Sequence, residues 1–328
     1  MNYEITTDLS GKAYEGWKKL MDESGLAADS EDVRTLLIYD GDELIATGSR
    51  DGSVLKYIAV ADSHRGEDLT ASVLTELRRD AFEDGHTHLF LYTKPMNRYM
   101  FEELFFYPVA ATENVLIREN EKDGIAKFVR SLPKTECRGV IGAAVMNCNP
   151  FTLGHRALIK RAASECDHVY VFVLSEDKSE FSFADRIEMV RLGTADIPNV
   201  TVLHTGPYLI SALTFPTYFI KDRDKAKHAA CEADVKIFAE YFAKELSITR
   251  RYVGSEPNSA LTEAYNRTLK EKLPSYGIQV AEIERVCEGG APISASTVRK
   301  LIGEGDVSSL SRLVPKTTLD HILKNVLN

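Results

Sequence analysis

Three apolar segments in the second half of the chain limit the fold most strongly. They are RGVIGAAVM (138–146), DHVYVFVLS (167–175) and NVTVLHT (199–205), and helical patterning follows each of the first two. A strand that is apolar at nearly every position needs cover on both faces, which a parallel sheet with helices on either side provides. The sequence therefore predicts an α/β domain of Rossmann-like topology over residues 131–328.

The first half of the chain has a different pattern. Asp-Gly pairs at 40–41 and 51–52 separate β-rich runs and predict an antiparallel meander of three strands over 33–60. Helical spacing then predicts a helix, which is followed by a strand, a second helix and a further strand up to residue 119. A charged stretch at 120–139 contains a proline and is interpreted as a linker. The sequence thus predicts an α+β domain over residues 1–130, followed by the α/β domain.

Charge and composition narrow the function classes. The formal net charge of -9 over 328 residues argues against general binding to nucleic acid or to an anionic membrane. Five cysteines without a Cys-x-x-Cys pair fit reduced thiols better than disulfides or a zinc site. The amino-terminal segment is polar and acidic, and no apolar run approaches the length of a membrane span. These features predict a cytoplasmic protein that binds small anions.

The segment MNCNPFTLGH, from Met146 to His155, directly follows the first apolar strand. In a parallel sheet ligands bind beyond the carboxyl ends of the strands, and the start of the next helix favours a phosphate. Gly154 would allow close approach of the backbone, His155 would add a donor, and Thr152 would add a hydroxyl. A plain β–α loop with a histidine that caps the helix explains the same residues, so this segment alone leaves both interpretations open.

A second motif adds a family resemblance. TLGH resembles the T/H-x-G-H signature of the nucleotidyltransferase superfamily, and ISASTVRKL (293–301) resembles its second signature. The resemblance implies that Ser294, Ser296 and Arg299 hold nucleotide phosphates. The segment SEDKSEFSFADRIEMV between them is similar to a superfamily segment that carries basic residues, which nominates Lys178 and Arg186. A solvated surface charge and a surface salt bridge are the alternatives for these two residues.

The resemblance extends to a family. MNCNPFTLGH, GTADIPNVTV, TFPTYFIKD, VGSEP and PISASTVR occur in this order, and together they resemble the citrate lyase ligase family over almost the whole chain. The resemblance implies that ATP and acetate give acetyl-adenylate and diphosphate. The acetyl group then passes to the thiol prosthetic group of the acyl carrier subunit of citrate lyase, and AMP leaves.

The same resemblance implies a role for each candidate residue. His155 would stabilise the α-phosphate, while Lys178 and Arg299 would stabilise the β- and γ-phosphates. Mg²⁺ would bridge the phosphates mainly through water, with no protein side chain as a metal ligand. The remaining candidates would bind ATP or orient the reacting groups: Asn147, Asn149, Thr152, Gly154, Arg186, Gly254, Ser255, Glu256, Ser294 and Ser296. A structural turn at Asn149 and an ordinary strand-to-helix turn capped by Ser255 are the alternatives for those two segments.

The amino-terminal pattern resembles the GNAT acetyltransferase fold. SHRGEDLTASVL stands where that family has its pyrophosphate loop, and Arg65 matches the first loop position. Asp68 and Thr70 replace small residues, and Glu67 adds a negative charge, so the loop is poorly suited to diphosphate. We expect a recognition or structural module without acetyl transfer.

Two other function classes are compatible with the sequence. One is a conventional nucleotidyltransferase that joins ATP to a phosphate monoester such as phosphopantetheine. The other is a GNAT acetyltransferase with a nucleotide-binding regulatory domain.

Overall fold

Two sheets organise the chain. The computed structural model describes residues 1–28, 33–176, 179–209, 215–220, 222–255 and 260–326. The chain forms two units, one of Met1–Gly124 with Thr214–Ala233 and one of Ile125–Leu213 with Asp234–Asn328. No helix in the described ranges combines the length and the apolar character that a membrane crossing requires.

The first unit has a seven-stranded sheet in the order β1-β2-β3-β4-β5-β7-β6. Its strands are β1 (Asn2–Thr6), β2 (Arg34–Asp40), β3 (Glu43–Asp51), β4 (Val54–Val60), β5 (Phe90–Thr93), β6 (Tyr107–Ala111) and β7 (Leu116–Glu119). Its helices are α1 (Gly11–Glu23), α2 (Leu69–Glu83) and α3 (Arg98–Glu103). All neighbouring strands pair antiparallel except β4 and β5, which are parallel.

Helix α2 covers the meander through one apolar face. Val73 and Leu77 are fully buried there, four residues apart on the same side of the helix. Gly48 of β3 permits this packing, because a Cβ at that position would lie only 2.4 Å from a Val73 methyl group. The meander, the helix and the strand that pairs parallel confirm the predicted GNAT-like α+β fold.

The second unit has a five-stranded parallel sheet in the order β10-β9-β8-β11-β12. Its strands are β8 (Ile141–Met146), β9 (His168–Val173), β10 (Val200–His204), β11 (Arg250–Gly254) and β12 (Gln279–Ile283), with a hairpin of β13 (Cys287–Glu288) and β14 (Ala291–Pro292). Its helices are α4 (Gly124–Ser131), α5 (Leu153–Glu165), α6 (Phe183–Thr194), α8 (Ala260–Lys272), α9 (Ala295–Glu304), α10 (Val307–Leu313) and α11 (Lys316–Asn325). Helix α7 (Arg223–Ile237) begins in the first unit and ends in the second. A π-helical segment, Phe238–Ala243, continues α7.

The strand order confirms the predicted Rossmann-like topology. From β8 the sheet grows in one direction through β9 and β10 and in the other through β11 and β12, which is the 3-2-1-4-5 order of a doubly wound fold. Strand β9 is buried at nearly every position, as its apolar sequence predicted. The change of direction between β8 and β11 is the switch point where such sheets bind ligands.

Helix α4 lies inside the stretch that was interpreted as a linker. Ile125, Val129 and Leu132 recur at helical spacing and are each at most 5% exposed. This amphipathic face stabilises a helix in a charged segment, and the charged residues conceal the pattern in the sequence. The sequence analysis also assigned no element to β1, α1 or β6.

Candidate active site

The loop after β8 begins helix α5 with a reciprocal cap. The Thr152 hydroxyl accepts a hydrogen bond from the backbone N–H of His155 (3.3 Å), and the Thr152 N–H donates to His155 Nδ1 (3.1 Å). A ring nitrogen that accepts from an N–H carries no proton, so Nε2 holds the proton of the neutral ring. The cap thus makes Nε2 a hydrogen-bond donor.

The imidazole of His155 is neutral around neutral pH. Burial, together with the nearby positive charge of Arg285, lowers the pKa of His155 to about 4. Its ring stacks on Phe151 with the centroids 6.0 Å apart. His155 can therefore polarise an anion by donating a hydrogen bond, without a full positive charge.

The Thr152 side chain takes part in the helix start. It is 1% exposed, and its hydroxyl lies 3.0 Å from His155 Nδ1 in addition to its bond with the His155 N–H. The hydroxyl that was expected to face the ligand is therefore engaged with the helix cap, because these two bonds satisfy it locally. Thr152 fixes the tautomer and orientation of His155.

The two signatures meet directly. A Cβ on Gly154 would lie 3.4 Å from the backbone oxygen of Ile293, which immediately precedes the second signature helix α9. Arg299 of α9 donates to the Asn149 backbone oxygen at 2.6 Å. The backbone at Gly154 is thus in contact with the segment before α9, and the helix starts α5 and α9 lie side by side.

Helix α9 begins at Ser294. The Ser294 hydroxyl accepts from the Thr297 N–H (3.1 Å), and it lies 2.9 Å from the hydroxyl of Ser296. Ser296 is exposed. Three hydroxyl side chains therefore surround an amide-lined helix start, an arrangement that suits phosphate oxygens.

Arg299 also pairs with an acidic residue. Its Nε lies 3.1 Å from Glu180 Oε2, and the two side chains are 31% and 57% exposed. Because both groups are accessible, a phosphate can replace the carboxylate at modest cost. Arg299 thus lies beside the loop after β8, and its contact with a phosphate stays a prediction.

Arg186 has a different position from the one expected. It is 0% exposed, and its guanidinium donates to the backbone oxygens of Phe181 (3.1 Å), Asn147 (2.9 Å), Leu174 (2.8 Å) and Glu176 (2.5 Å). A buried cation surrounded by carbonyl oxygens holds chain segments together. Arg186 therefore lies beneath the site and orders its loops, and both a phosphate contact and a surface salt bridge are inconsistent with this burial.

The two asparagines of the first loop also make protein contacts. Asn147 Oδ1 accepts from Arg186 at 2.8 Å, and Asn147 Nδ2 lies 3.1 Å from the Ser179 hydroxyl. Asn149 Oδ1 accepts from the Phe181 N–H at 3.1 Å. These bonds connect the loop after β8 to the segment before α6, where Lys178 belongs in sequence.

The loop after β11 forms the third side of the site. Ser255 donates its N–H to the Ile283 backbone oxygen (2.8 Å), and its hydroxyl accepts from the Arg285 N–H (3.3 Å). The Gly254 backbone oxygen accepts from Asn266 Nδ2 at 2.9 Å. Lys178 and Glu256, two of the sequence candidates, lie outside the described residues.

Sequence reasoning missed Arg285. Its Nε donates to the Ser255 backbone oxygen at 2.8 Å, and its charge acts on His155. The segment EIERV could have indicated this residue, because it places an arginine just beyond the carboxyl end of a strand. Its position beside Ser255 depends on the sheet order, which puts β12 next to β11. Over the residues that the structure describes, no group of three or more His, Cys, Asp or Glu side chains is placed to hold a metal ion.

The sheet order and the two adjoining helix starts define a doubly wound α/β domain with a candidate ligand site at its switch point. The model of the citrate lyase ligase C-terminal domain matches residues 141–322. A curated relative from Escherichia coli strain K12, named "[Citrate [pro-3S]-lyase] ligase", is 39% identical over 94% of this chain and 90% of its own length. A relative of the same name from Klebsiella pneumoniae is 40% identical over 86% of this chain and 84% of its own. This chain belongs to the citrate lyase ligase family.

Solved structures give weaker likenesses. Escherichia coli ElaA is 14% identical, with a TM-score of 0.33 over 37% of this chain and 100% of its own. Thermotoga maritima TmcAL, bound with alpha-thio ATP, is 15% identical, with a TM-score of 0.38 over 57% of this chain and 56% of its own. The strand orders, rather than these likenesses, define the two folds.

Proposed function

We propose that this chain adenylates acetate with ATP and transfers the acetyl group to a thiol on the acyl carrier subunit of citrate lyase. An acetate oxygen attacks the α-phosphorus, and the bond to the β-phosphate bridging oxygen breaks. Diphosphate leaves with that electron pair. The carrier thiol, after losing its proton, then attacks the carbonyl carbon, and AMP leaves with the former acetate oxygen.

Family membership and one structural observation support this proposal. The Arg299 guanidinium donates to the Asn149 backbone oxygen at 2.6 Å, so the two signature loops form one surface at the switch point. Helix starts α5 and α9 both present amide groups and positive dipole ends at that surface. A triphosphate is the ligand that such a pair of anion sites fits.

The proposed chemistry needs charge stabilisation more than a protein nucleophile. Negative charge develops on the non-bridging oxygens and on diphosphate, so fixed donors lower the barrier. The Nε2–H of His155 would donate to the α-phosphate, because the Thr152 cap holds the opposite nitrogen. Arg299 and Lys178 would bind the outer phosphates, with Arg299 exchanging Glu180 for phosphate.

Mg²⁺ would bind at this surface as the Mg²⁺ complex of ATP. The donors of the described site are amides, hydroxyls, an imidazole and guanidinium groups, which suit phosphate oxygens rather than a bare cation. The metal would neutralise phosphate charge and complete its coordination with water. The residues of this chain would orient the phosphates around it.

The direct test is formation of products with each substrate omitted in turn. The chain is incubated with ATP, Mg²⁺, acetate and the reduced acyl carrier of citrate lyase, and AMP, diphosphate and acetyl thioester are measured. We expect equal amounts of AMP and thioester, and none without acetate. Transfer of the adenylyl group to a phosphate monoester, with diphosphate but no free AMP as a product, would support a conventional nucleotidyltransferase. Consumption of acetyl-coenzyme A without ATP would support a GNAT acetyltransferase.

A further inference from the structure

We infer that Arg285 is a phosphate-binding residue of this site and supplies the positive charge that His155 lacks. This inference rests on the proposed function, because it names a residue that binds the same nucleotide. Neither signature motif includes Arg285.

The first step is its position at the edge of the sheet. Arg285 follows β12 by two residues, and its Nε donates to the Ser255 backbone oxygen (2.8 Å) at the carboxyl end of β11. Its own N–H donates to the Ser255 hydroxyl (3.3 Å). These two bonds hold the arginine at the carboxyl end of β11, the strand that lies next to β8 in the sheet.

The second step is a connection to the second signature. The N–H of Ile293 donates to the Val286 backbone oxygen at 2.9 Å, next to Arg285 in sequence. Between Val286 and Ile293, Gly289 and Gly290 form the turn of the β13–β14 hairpin with φ values of 60° and 81°. A two-residue hairpin turn requires such positive φ values, which residues other than glycine rarely adopt. The hairpin thus fixes Arg285 relative to Ser294 and the start of α9.

The third step concerns charge. Arg186 is buried among backbone oxygens, and Arg299 shares its charge with Glu180 at 3.1 Å. His155 is neutral because its pKa is lowered, mainly by burial and in addition by the positive charge of Arg285. The positive charge of Arg285 disfavours protonation of the His155 ring. The guanidinium and the neutral imidazole N–H can nevertheless both donate hydrogen bonds to one phosphate anion.

The test compares Arg285→Gln and Arg285→Lys with the matched control Arg138→Gln. Arg138 is exposed and precedes the amino end of β8, at the opposite edge of the sheet. Two readouts are independent of turnover. One is the pKa of His155 from its ring proton resonance, assigned by its loss in His155→Asn, and the other is calorimetric affinity for inorganic diphosphate. The third readout is acetate-dependent ATP–diphosphate exchange.

We expect Arg285→Gln to raise the pKa of His155, to weaken diphosphate binding at least about 10-fold, and to slow exchange on the order of 100-fold. Arg285→Lys should keep the pKa low and retain part of the diphosphate affinity, and Arg138→Gln should match the wild type. Unchanged diphosphate affinity in Arg285→Gln would overturn the inference, whether or not the pKa moves. If the wild type shows no exchange with acetate, the proposed function fails, while the first two readouts still decide the role of Arg285.

Discussion

The two units each place a loop between a strand and a helix, yet the loops differ in organisation. In the second unit, Thr152 and His155 cap α5 reciprocally. In the first unit, the residue before α2 is Asp68, which has a left-handed φ of 54° and makes no side-chain cap bond. Arg65, the matching residue of the GNAT-type loop, pairs with Asp62 at 2.7 Å on the surface.

If the proposed function is correct, this difference means that a helix N-terminus alone is not sufficient for an anion site. Both helix starts present amide groups and a positive dipole end. Only the loop of the second unit adds a neutral imidazole donor of fixed tautomer, together with two nearby cations: Arg299 of helix α9 and Arg285 of the loop after β12. The loop of the first unit instead carries Glu67 and Asp68, which repel diphosphate.

Removal of Arg186 should have the largest effect on the loop of the second unit. Arg186→Met leaves the buried Phe181 backbone oxygen and three part-buried backbone oxygens without this donor, and an unsatisfied buried group costs about 1–3 kcal/mol of unfolding free energy. Urea denaturation measures the loss. The control is Arg191→Met, an exposed arginine on the same helix α6, which should change stability by less than about 0.5 kcal/mol. A stable Arg186→Met protein would contradict the positioning role.

His155→Ala should reduce acetate-dependent ATP–diphosphate exchange about 100-fold or more, because it removes a donor aimed at developing charge. The fold should persist, since the side chain is only half-buried. His64→Ala, in the loop of the first unit, is the matched control and should retain at least half of the activity. Equal losses in the two variants would remove the distinction between the loops.

Arg299→Ala should lower the exchange rate about 10-fold, with a larger rise in the KM for ATP than in that for acetate. The substitution removes the bonds to Asn149 and Glu180 and leaves one less cation for the outer phosphates. Lys300→Ala is the control, because that neighbouring side chain is 76% exposed and pairs only with Glu304 at 3.8 Å among the described contacts. An unaltered KM for ATP would contradict phosphate binding by the second signature.

Acid should weaken the second unit through His155. Its folded pKa of about 4 lies below the ordinary 6.5, so the unfolded chain binds more protons between these values and stability falls as the pH falls through that window. His155→Asn, which can still accept the Thr152 N–H bond, should flatten this dependence by on the order of 1 kcal/mol. Burial also lowers the pKa values of His168 and His204. Both residues are present in the variant, so their contributions cancel when the stability curves of the wild type and of His155→Asn are subtracted. Parallel stability curves for the two proteins would refute the assignment.

Asp68→Gly should have the smallest effect. Glycine adopts a left-handed backbone more readily, so stability should change by less than about 1 kcal/mol. Exchange activity should match the wild type, and calorimetry should detect no micromolar binding of acetyl-coenzyme A in either protein. Acetyl transfer to an amine by the wild type would instead assign catalysis to the first unit.

The sequence predicted what periodicity and short motifs encode. Strand β11 has the bounds that RRYVG indicated, and the apolar segments became β8, β9 and β10. The order of β11 and β12 in the sheet depends on long-range pairing, so the position of Arg285 beside Ser255 was not predictable.

The contacts of individual side chains were harder to predict than the location of their motifs in the fold. Arg186 occurs in a motif that resembles a phosphate-binding segment, but its burial appears only once three chain segments converge. Thr152 was assigned a ligand contact because sequence does not show which way a hydroxyl points. The sequence placed the GNAT-like loop through Arg65, which matches its first position, with Asp68 and Thr70 where small residues are needed.

The central claim is that the second unit joins acetate to the α-phosphate of ATP. Acetate labelled with ¹⁸O in both oxygens tests it most directly, with AMP analysed by mass spectrometry after transfer to the carrier. Attack on the α-phosphorus predicts one ¹⁸O atom in each AMP and none in diphosphate, with strong loss of labelled AMP in His155→Ala. Unlabelled AMP, or label in inorganic phosphate beside ADP, would contradict the account.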